Sequence, residues 1–335
     1  MDSGVGKKMK AAVLDDYQNA VLGLSCLKRL EERCEVLFCN NRGKSDEEII
    51  RSLADVEIVI PIHDRTDFHS RLLQSLPRLK FISQTGARVY SVDVEAATRC
   101  GIQVAISVSS GIPTVEQTFN LIFAVMRHTP QEDRAVREGK WQTTIGRELN
   151  GKTIGILGLG RIGKDVARIA KAFQMSVLAA GLTLTPERAQ ASGAEWVSFD
   201  DLLRRSDIVT IHWKLAERTR SIIGRRELEL MKPSAVLINT SRGAIVDEPA
   251  LIEVLKARKI AGAGLDVFAE EPMNLPHPLL QLDNVVLSPH LGFVSVENYE
   301  RSFSGAIDNI LGYLEGKPIH VVNPEALQNR RASGV

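Results

Sequence analysis

Short apolar runs alternate with stretches in which apolar residues return every three or four positions, beginning at Met9. AAVL, EVLF, VEIVI and the segment Leu79 to Ser83 read as buried strands, because short unbroken apolar runs bounded by polar residues suit a sheet covered on both faces. Between them, Ala20 to Leu30, Glu47 to Leu53 and Val94 to Arg99 carry helical spacing, and Gly101 to Ala105 closes a first unit. Such alternation predicts a parallel sheet with helices on its faces.

The turn-rich SSGIPT marks a crossing into a second unit, with Thr114 as the cap of a long helical pattern through Phe119, Ile122, Phe123 and Met126. Further buried strands are expected at Thr153 to Leu157, Ser176 to Ala179, Ile208 to Ile211, Ala235 to Asn239, Gly262 to Val267 and Val285 to Ser288. From Val296, Phe303, Ile307, Ile310, Leu311 and Leu314 define an amphipathic helix ending at Gly316 and Pro318. This helix is expected to return to the first unit. That gives a discontinuous domain of residues 1–105 and 297–335, a second domain of residues 106–296, and a ligand cleft between them.

The strand at Thr153 runs into Gly158, Gly160 and Gly163, a G-x-G-x-x-G spacing that opens directly into a helix carrying Ile162, Val166, Ile169, Ala170 and Phe173 on one face. The first glycine permits the tight turn, the second lets backbone approach a pyrophosphate, and the third lets helix and strand pack closely. N–H groups at the helix start, Arg161 and Ile162 among them, and the positive dipole end would hold the phosphates. Glycine turns also arise for packing alone, but flanking strand and helix make a dinucleotide site the better reading.

Composition narrows the picture. With 335 residues, 44% of them hydrophobic and 25% charged, the chain has the length for two domains. Lys plus Arg number 42 against 41 Asp plus Glu, so no net field draws it to nucleic acid or to a membrane surface. Cys26, Cys34, Cys39 and Cys100 show neither paired spacing nor a histidine at zinc-ligand distance, which suits thiols in a reducing cytoplasm but leaves a disulfide open. No metal site is expected. MDSGVGKK and RRASGV read as loose ends without a targeting segment.

Three later stretches, NTSRGAIVDE, GAGLDVFAEEP and SPHLGF, place polar residues beside strand ends. With the glycine fingerprint, in this order, they resemble the D-isomer-specific 2-hydroxyacid dehydrogenase family from about Met9 to Glu325. The resemblance implies an α/β fold of two Rossmann-like parallel-sheet domains, a flavodoxin-like substrate domain and an NAD(P)-binding Rossmann domain. It implies hydride transfer between NAD(P) and a D-2-hydroxy acid or 2-oxo acid in a cytoplasmic homodimer. The helix from Thr114 and the arm to Trp141 would supply much of the subunit contact. The catalytic set carries over as Arg242, Glu271 and His290. Arginine suits an adjacent carboxylate and C–O group; histidine is the side chain class that exchanges protons near neutrality; a carboxylate on the imidazole fixes its tautomer. Taken singly, His290 could be a satisfied strand-end residue and Arg242 a partner for Asp247. Asp266 matches the family's nicotinamide-carboxamide ligand, with a turn or cap as the alternative, while Thr240, Ser241 and Gly292 would line the cofactor. Relatives that oxidise formate carry glutamine where Glu271 stands, which argues against that reaction.

Two departures from the family pattern matter. The substrate loop is Gly86, Ala87, Arg88 and Val89, so Arg88 replaces a glycine and either meets a second anionic group on the substrate or is a solvated loop residue. At the end of the second strand after the fingerprint, Gly181 stands where NAD-selective members carry an acid. NAD is still preferred from the family, but Thr183, Thr185 or Arg188 could meet a 2′-phosphate, which makes NADP the alternative. HLGFVSVENYE and PIHVVNPEAL resemble a bacterial subgroup that is phosphoglycerate dehydrogenase-like or glyoxylate-hydroxypyruvate reductase-like. The chain stops soon after the first unit is completed, so the regulatory domain of some phosphoglycerate dehydrogenases is not expected. A rival from another class is a dinucleotide-sensing corepressor-like scaffold that recruits peptides.

Overall fold

The computed structural model describes residues 8–329, so the expected loose ends MDSGVGKK and RRASGV lie outside the described residues except for Lys8, whose Nζ donates to the Glu31 carbonyl at 2.7 Å. The chain divides into two compact units, residues 1–110 with 295–335, and residues 111–294.

The first unit carries strands β1 (Met9–Leu14), β2 (Cys34–Cys39), β3 (Ile58–Pro61), β4 (Phe81–Gln84) and β5 (Gln103–Ile106). All pair in parallel, in the order β2-β1-β3-β4-β5. This is the flavodoxin-like order, with its switch point between β1 and β3. Alternate residues face opposite ways. Ala12, Leu14, Val59, Ile82 and Val104 therefore join a core with Phe68, Leu72 and Leu73. On the other face lies the helix Val296–Leu314, whose Tyr313 stacks on Phe81 at 4.5 Å and whose Ala306 carbonyl accepts from Ser83 Oγ at 2.8 Å. Ser45, His69 and Asp93 cap the helices Asp46–Leu53, Ser70–Gln74 and Val94–Arg99 by accepting from backbone N–H groups. The stretch Ala20 to Leu30, expected as one helix, is instead a 3₁₀ turn at Val21–Gly23 and a helix at Leu27–Glu31. The extended Leu24 after Gly23 breaks it.

The second unit opens with the helix Ile112–Met126 and builds strands β6 (Thr153–Leu157), β7 (Ser176–Ala180), β8 (Glu195–Trp196), β9 (Ile208–Ile211), β10 (Val236–Asn239), β11 (Gly262–Leu265) and β12 (Val285–Leu287). The sheet is parallel, in the order β12-β11-β10-β9-β6-β7-β8. Its switch point lies between β6 and β9. Both faces are buried: Val236 and Ile238 pack with Phe119, Ile122 and Val166, whereas Leu237 packs on the opposite face with Leu251, Val254 and Leu255. Each such aliphatic side chain contributes about 1.5–3 kcal/mol. The two-residue β8 has no counterpart in the hydrophobic pattern, because both its residues are exposed at the sheet edge. Thr114 does not cap its helix. Gly111 occupies that position without a side-chain bond, and Thr114 lies in the first turn.

None of the described cysteines forms a disulfide, and burial pushes the Cys26 and Cys34 thiols up to about 11, away from reactive thiolates. Among the described residues, no helix is long and apolar enough to cross a membrane.

Candidate active site

The glycine turn after β6 shows a distinct constraint at each position. Gly158 has φ +102°, and a Cβ there would stand 2.9 Å from the His212 carbonyl carbon and from Trp213 Cδ1. Gly163 lies inside the helix Arg161–Ala172, where a Cβ would come within 2.2 Å of the Gly158 oxygen. Gly160, the N-cap, would meet nothing within 4 Å. The turn is therefore closed against protein at Gly158 and Gly163 and open at Gly160. First-turn N–H groups of a helix have no carbonyl within it, and those of this helix begin with Arg161 and Ile162, so the arrangement fits a pyrophosphate. At the end of β7, Gly181 leads into a loop in which Arg188 Nη1 donates to the Thr183 carbonyl at 2.9 Å and Thr185 caps the short helix Pro186–Gln190. Beside the turn, burial pushes the His212 imidazole down to about 4, and Thr210 Oγ1 lies 3.0 Å from its Nε2.

Three neighbouring strands carry Arg242, Glu271 and His290. β10 ends at Asn239, and its side chain shapes the next turn: Oδ1 accepts from Ser241 N at 3.0 Å, and Nδ2 donates to the Arg242 carbonyl at 3.0 Å. Ser241 Oγ donates to the Trp213 carbonyl. Thr240 is buried and Arg242 partly exposed. Asp247, the alternative partner for Arg242, caps the helix Glu248–Lys256 by accepting from Ala250 N at 3.1 Å.

β11 ends at Leu265, and the loop after it brings Glu271 back on itself. Glu271 Oε1 accepts from Phe268 N at 2.9 Å, and Oε2 lies 2.6 Å from His290 Nδ1. Glu248 Oε2 accepts from Ala269 N at 3.1 Å, and Oε1 of the same residue lies 3.3 Å from His277 Nε2. The Arg242 turn fits tightly against this loop: a Cβ on Gly243 would sit 1.9 Å from the Phe268 carbonyl carbon.

β12 ends at Leu287, and Ser288 to Gly292 wrap around Asp266. Asp266 is fully buried. Its Oδ1 accepts from Ser288 Oγ at 2.5 Å, Leu291 N at 2.8 Å and Gln117 Nε2 at 3.2 Å; Oδ2 accepts from Gly292 N at 2.8 Å. His290 N donates to the Asp266 carbonyl at 2.8 Å, and His290 itself has φ 53°, an uncommon conformation for a residue with a side chain. The loop thus holds the imidazole against Glu271 through a strained backbone. With Nδ1–H donating to that carboxylate, Nε2 is the atom left to exchange a proton with a bound molecule.

Arg242, Glu271 and His290 thus share the carboxyl ends of adjacent strands, together with Thr240, Ser241, Asp266 and Gly292. Gly86, Ala87, Arg88 and Val89 belong to the other unit, in the loop after β4. There Gly86 takes φ +143°, Val89 packs against the core, and Arg88 is exposed with its Nη1 donating to Tyr90 Oη at 2.6 Å. Sequence reasoning missed Gln117, Ser288, Thr114 and Glu248. Ser288 and Glu248 lie within the motifs SPHLGF and NTSRGAIVDE and Thr114 was read as a cap, whereas Gln117 is marked only as a long polar side chain on a helix otherwise rich in buried apolar residues.

Residues 119–292 match the model for "D-isomer specific 2-hydroxyacid dehydrogenase, NAD binding domain". The chain is 43% identical over 273 residues to a glyoxylate reductase of Aeropyrum pernix, covering 78% of this chain and 81% of that one. It is 39% identical over 281 residues to a D-3-phosphoglycerate dehydrogenase of Archaeoglobus fulgidus, covering 83% of this chain but only 53% of that protein, about half its length. The crystal structure of a phosphoglycerate oxidoreductase from Vibrio cholerae superposes with a TM-score of 0.89 at 34% identity, over 92% of this chain and 99% of that one. The chain therefore belongs to the D-isomer-specific 2-hydroxyacid dehydrogenases, NAD(P)-dependent oxidoreductases that act on the CH–OH group of small 2-hydroxy acids.

Proposed function

We propose that this protein interconverts a D-2-hydroxy acid and its 2-oxo acid, with His290 as the acid–base residue, Glu271 as its orienting carboxylate and Arg242 as the ligand of the substrate carboxylate and developing oxyanion. The observation that supports the reading is the 2.6 Å contact between His290 Nδ1 and Glu271 Oε2, which leaves the opposite ring nitrogen for a substrate oxygen. A bound nicotinamide cofactor would supply or accept the hydride at C2 of the substrate. In reduction, His290 gives its Nε2 proton to the carbonyl oxygen as the C–O bond becomes single, and Glu271 stabilises the imidazolium that precedes this step. Arg242 neutralises charge on the same oxygen, with a planar donor set that fits carboxylate and C–O together.

Gly158, Gly160, Arg161, Ile162 and Gly163 would hold the pyrophosphate of a bound dinucleotide, Thr240, Ser241, Asp266 and Gly292 would hold its nicotinamide, and Thr183 its adenosine ribose. Gly181 offers no carboxylate to hold the ribose diol or to repel a 2′-phosphate. The expected behaviour is use of both cofactors, with NAD ahead of NADP by no more than about tenfold, or 1.4 kcal/mol. Backbone N–H groups of Gly86 to Val89 receive the substrate carboxylate, and Arg88 extends the anion site. Small unphosphorylated 2-oxo acids such as glyoxylate and hydroxypyruvate are the first substrates to try, with phosphoglycerate oxidation as the alternative. The enzyme is a cytoplasmic homodimer. The irregular arm of residues 138–150, with Trp141 77% and Ile145 92% exposed, supports a second copy as its cover.

The test is oxidation of NADH and of NADPH with a panel of 2-oxo acids, and the reverse reaction with phosphoglycerate, beside His290→Ala. Turnover that disappears in the variant while NADH binding persists supports the assignment. Equal turnover in the variant would refute the role of His290.

A further inference from the structure

The helix Ile112–Met126 presents three polar side chains on one face, at positions 114, 117 and 118, and each reaches a loop that carries chemistry. Thr114 Oγ1 donates to the Gly292 carbonyl at 2.7 Å. Gln117 is buried; its Nε2 donates to Ser288 Oγ at 2.8 Å and to Asp266 Oδ1 at 3.2 Å, while its Oε1 accepts from Asn120 Nδ2 at 3.1 Å. Thr118, also buried, donates to the Thr114 carbonyl at 2.8 Å. A hydroxyl has one proton, so the 2.9 Å contact between Thr118 Oγ1 and Thr240 Oγ1 is a bond that Thr240 donates. One helix face therefore grips the His290 loop at both ends, Ser288 and Gly292, and grips the Arg242 turn at Thr240.

We propose that Thr114, Gln117 and Thr118 are positioning residues that hold His290 and Arg242 in register with one another. His290 needs such support, because its left-handed backbone persists only where surrounding bonds over-determine it. Asp266 supplies part of that support, but it is fixed in turn by Gln117. The amide spreads two donated bonds over a carboxylate and a hydroxyl that are both bonded to the loop. The connectivity has a further consequence. The chain enters this unit at Gly111, directly before the helix, and leaves it at Val294, directly after the His290 loop, so the Thr114 bond to Gly292 ties entry to exit. The inference rests on the dehydrogenase reading above, since it assigns a purpose to the geometry of His290 and Arg242.

Gln117→Met keeps length and bulk but removes the donors, and Thr114→Val removes a hydroxyl at constant shape, with Thr114→Ser as the variant that restores it. The measurement is kcat for reduction of the best 2-oxo acid, normalised to NADH-binding sites counted by fluorescence titration. A loop displaced by a fraction of an ångström to one ångström lowers the normalised kcat of Gln117→Met and Thr114→Val about ten- to a hundredfold. NADH Kd rises by a smaller factor than the normalised kcat falls in both variants, because the glycine turn at Gly158 to Gly163 is untouched, and Thr114→Ser returns to the wild-type rate. A purely structural role would reduce the number of binding sites and leave the normalised kcat unchanged, and that result overturns the proposal. Should Gln117→Met not fold, the Thr114→Val and Thr114→Ser pair decides in the same way. A wild-type protein that binds NADH but reduces no 2-oxo acid overturns the dehydrogenase reading and this inference together. Wild-type turnover with unimpaired variants overturns this inference alone.

Discussion

Replacing Gly243 by alanine adds one carbon at the seam between the Arg242 turn and the Glu271 loop. That carbon would lie 1.9 Å from the Phe268 carbonyl carbon, 2.0 Å from its oxygen and 2.5 Å from Ala269 N. Carbon atoms rest comfortably at about 3.5 Å, so the two loops must part by roughly 1.5 Å. No side chain can rotate away, because all three obstructing atoms are backbone. The Glu271 loop is also tethered: Glu271 accepts from Phe268 N at 2.9 Å and Glu248 from Ala269 N at 3.1 Å. A shift of this size exceeds the 1 Å misplacement that costs about a hundredfold in rate, so kcat/KM should fall by at least that factor, or about 2.7 kcal/mol of transition-state stabilisation. Overpacking should cost a further 1–3 kcal/mol, roughly, of folding stability. The assay is NADH-dependent reduction of the best 2-oxo acid, normalised to NADH-binding sites, with thermal unfolding run alongside. A folded Gly243→Ala protein within about threefold of wild type would show that the Arg242 and Glu271 loops need not keep their mutual spacing, and the reasoning would fail.

Three other substitutions probe the remaining parts. Gly163→Ala places a Cβ 2.2 Å from the Gly158 oxygen, which must open the glycine turn; NADH Kd should rise at least about tenfold in a fluorescence titration, and an unchanged Kd would contradict the phosphate-cradle reading. Burial holds His212 down to about 4, so the unfolded chain takes up a proton that the folded chain refuses as pH falls from about 6.5 toward 4, and stability is lost over that window. By pH 5 the loss is on the order of 2 kcal/mol; urea unfolding at pH 7 and pH 5 should show a smaller drop for His212→Asn than for wild type, and equal drops would exclude the effect. Arg88→Ala should raise KM for a dianionic, phosphorylated acid about tenfold while leaving monoanionic acids nearly unchanged, and equal weakening of both would return Arg88 to the role of a solvated loop residue bonded to Tyr90.

Strand runs such as Val236–Asn239 and the turn Gly158 to Gly163 were legible because their determinants are local. A strand buried on both faces must be apolar throughout, and a phosphate turn requires glycine at fixed offsets. Arg242, Glu271 and His290 came forward differently, from the family resemblance that the order of the motifs carries, since no local pattern marks any one of them by itself. What the pattern missed depends on where segments meet. Thr114 looked like a cap, yet its hydroxyl serves Gly292, far along the chain. Ala20 to Leu30 has helical spacing but is split by the extended Leu24.

Asp266 shows the division most clearly. Its position in LDVF marked it from resemblance as a cofactor ligand, whereas what the folded chain displays is a buried carboxylate accepting bonds from Ser288, Leu291, Gly292 and Gln117. Gln117 belongs to no motif: a long amide on a largely apolar helix stands out, but nothing local says which loop it meets. Its role follows from being packed beneath a loop that closes nearly the whole length of the second unit. Local periodicity and turn chemistry thus determined which strands form and which side chains stand at their ends. Tertiary packing alone decided which backbone groups hold those side chains in place, because such bonds join segments whose separation along the chain carries no repeating pattern.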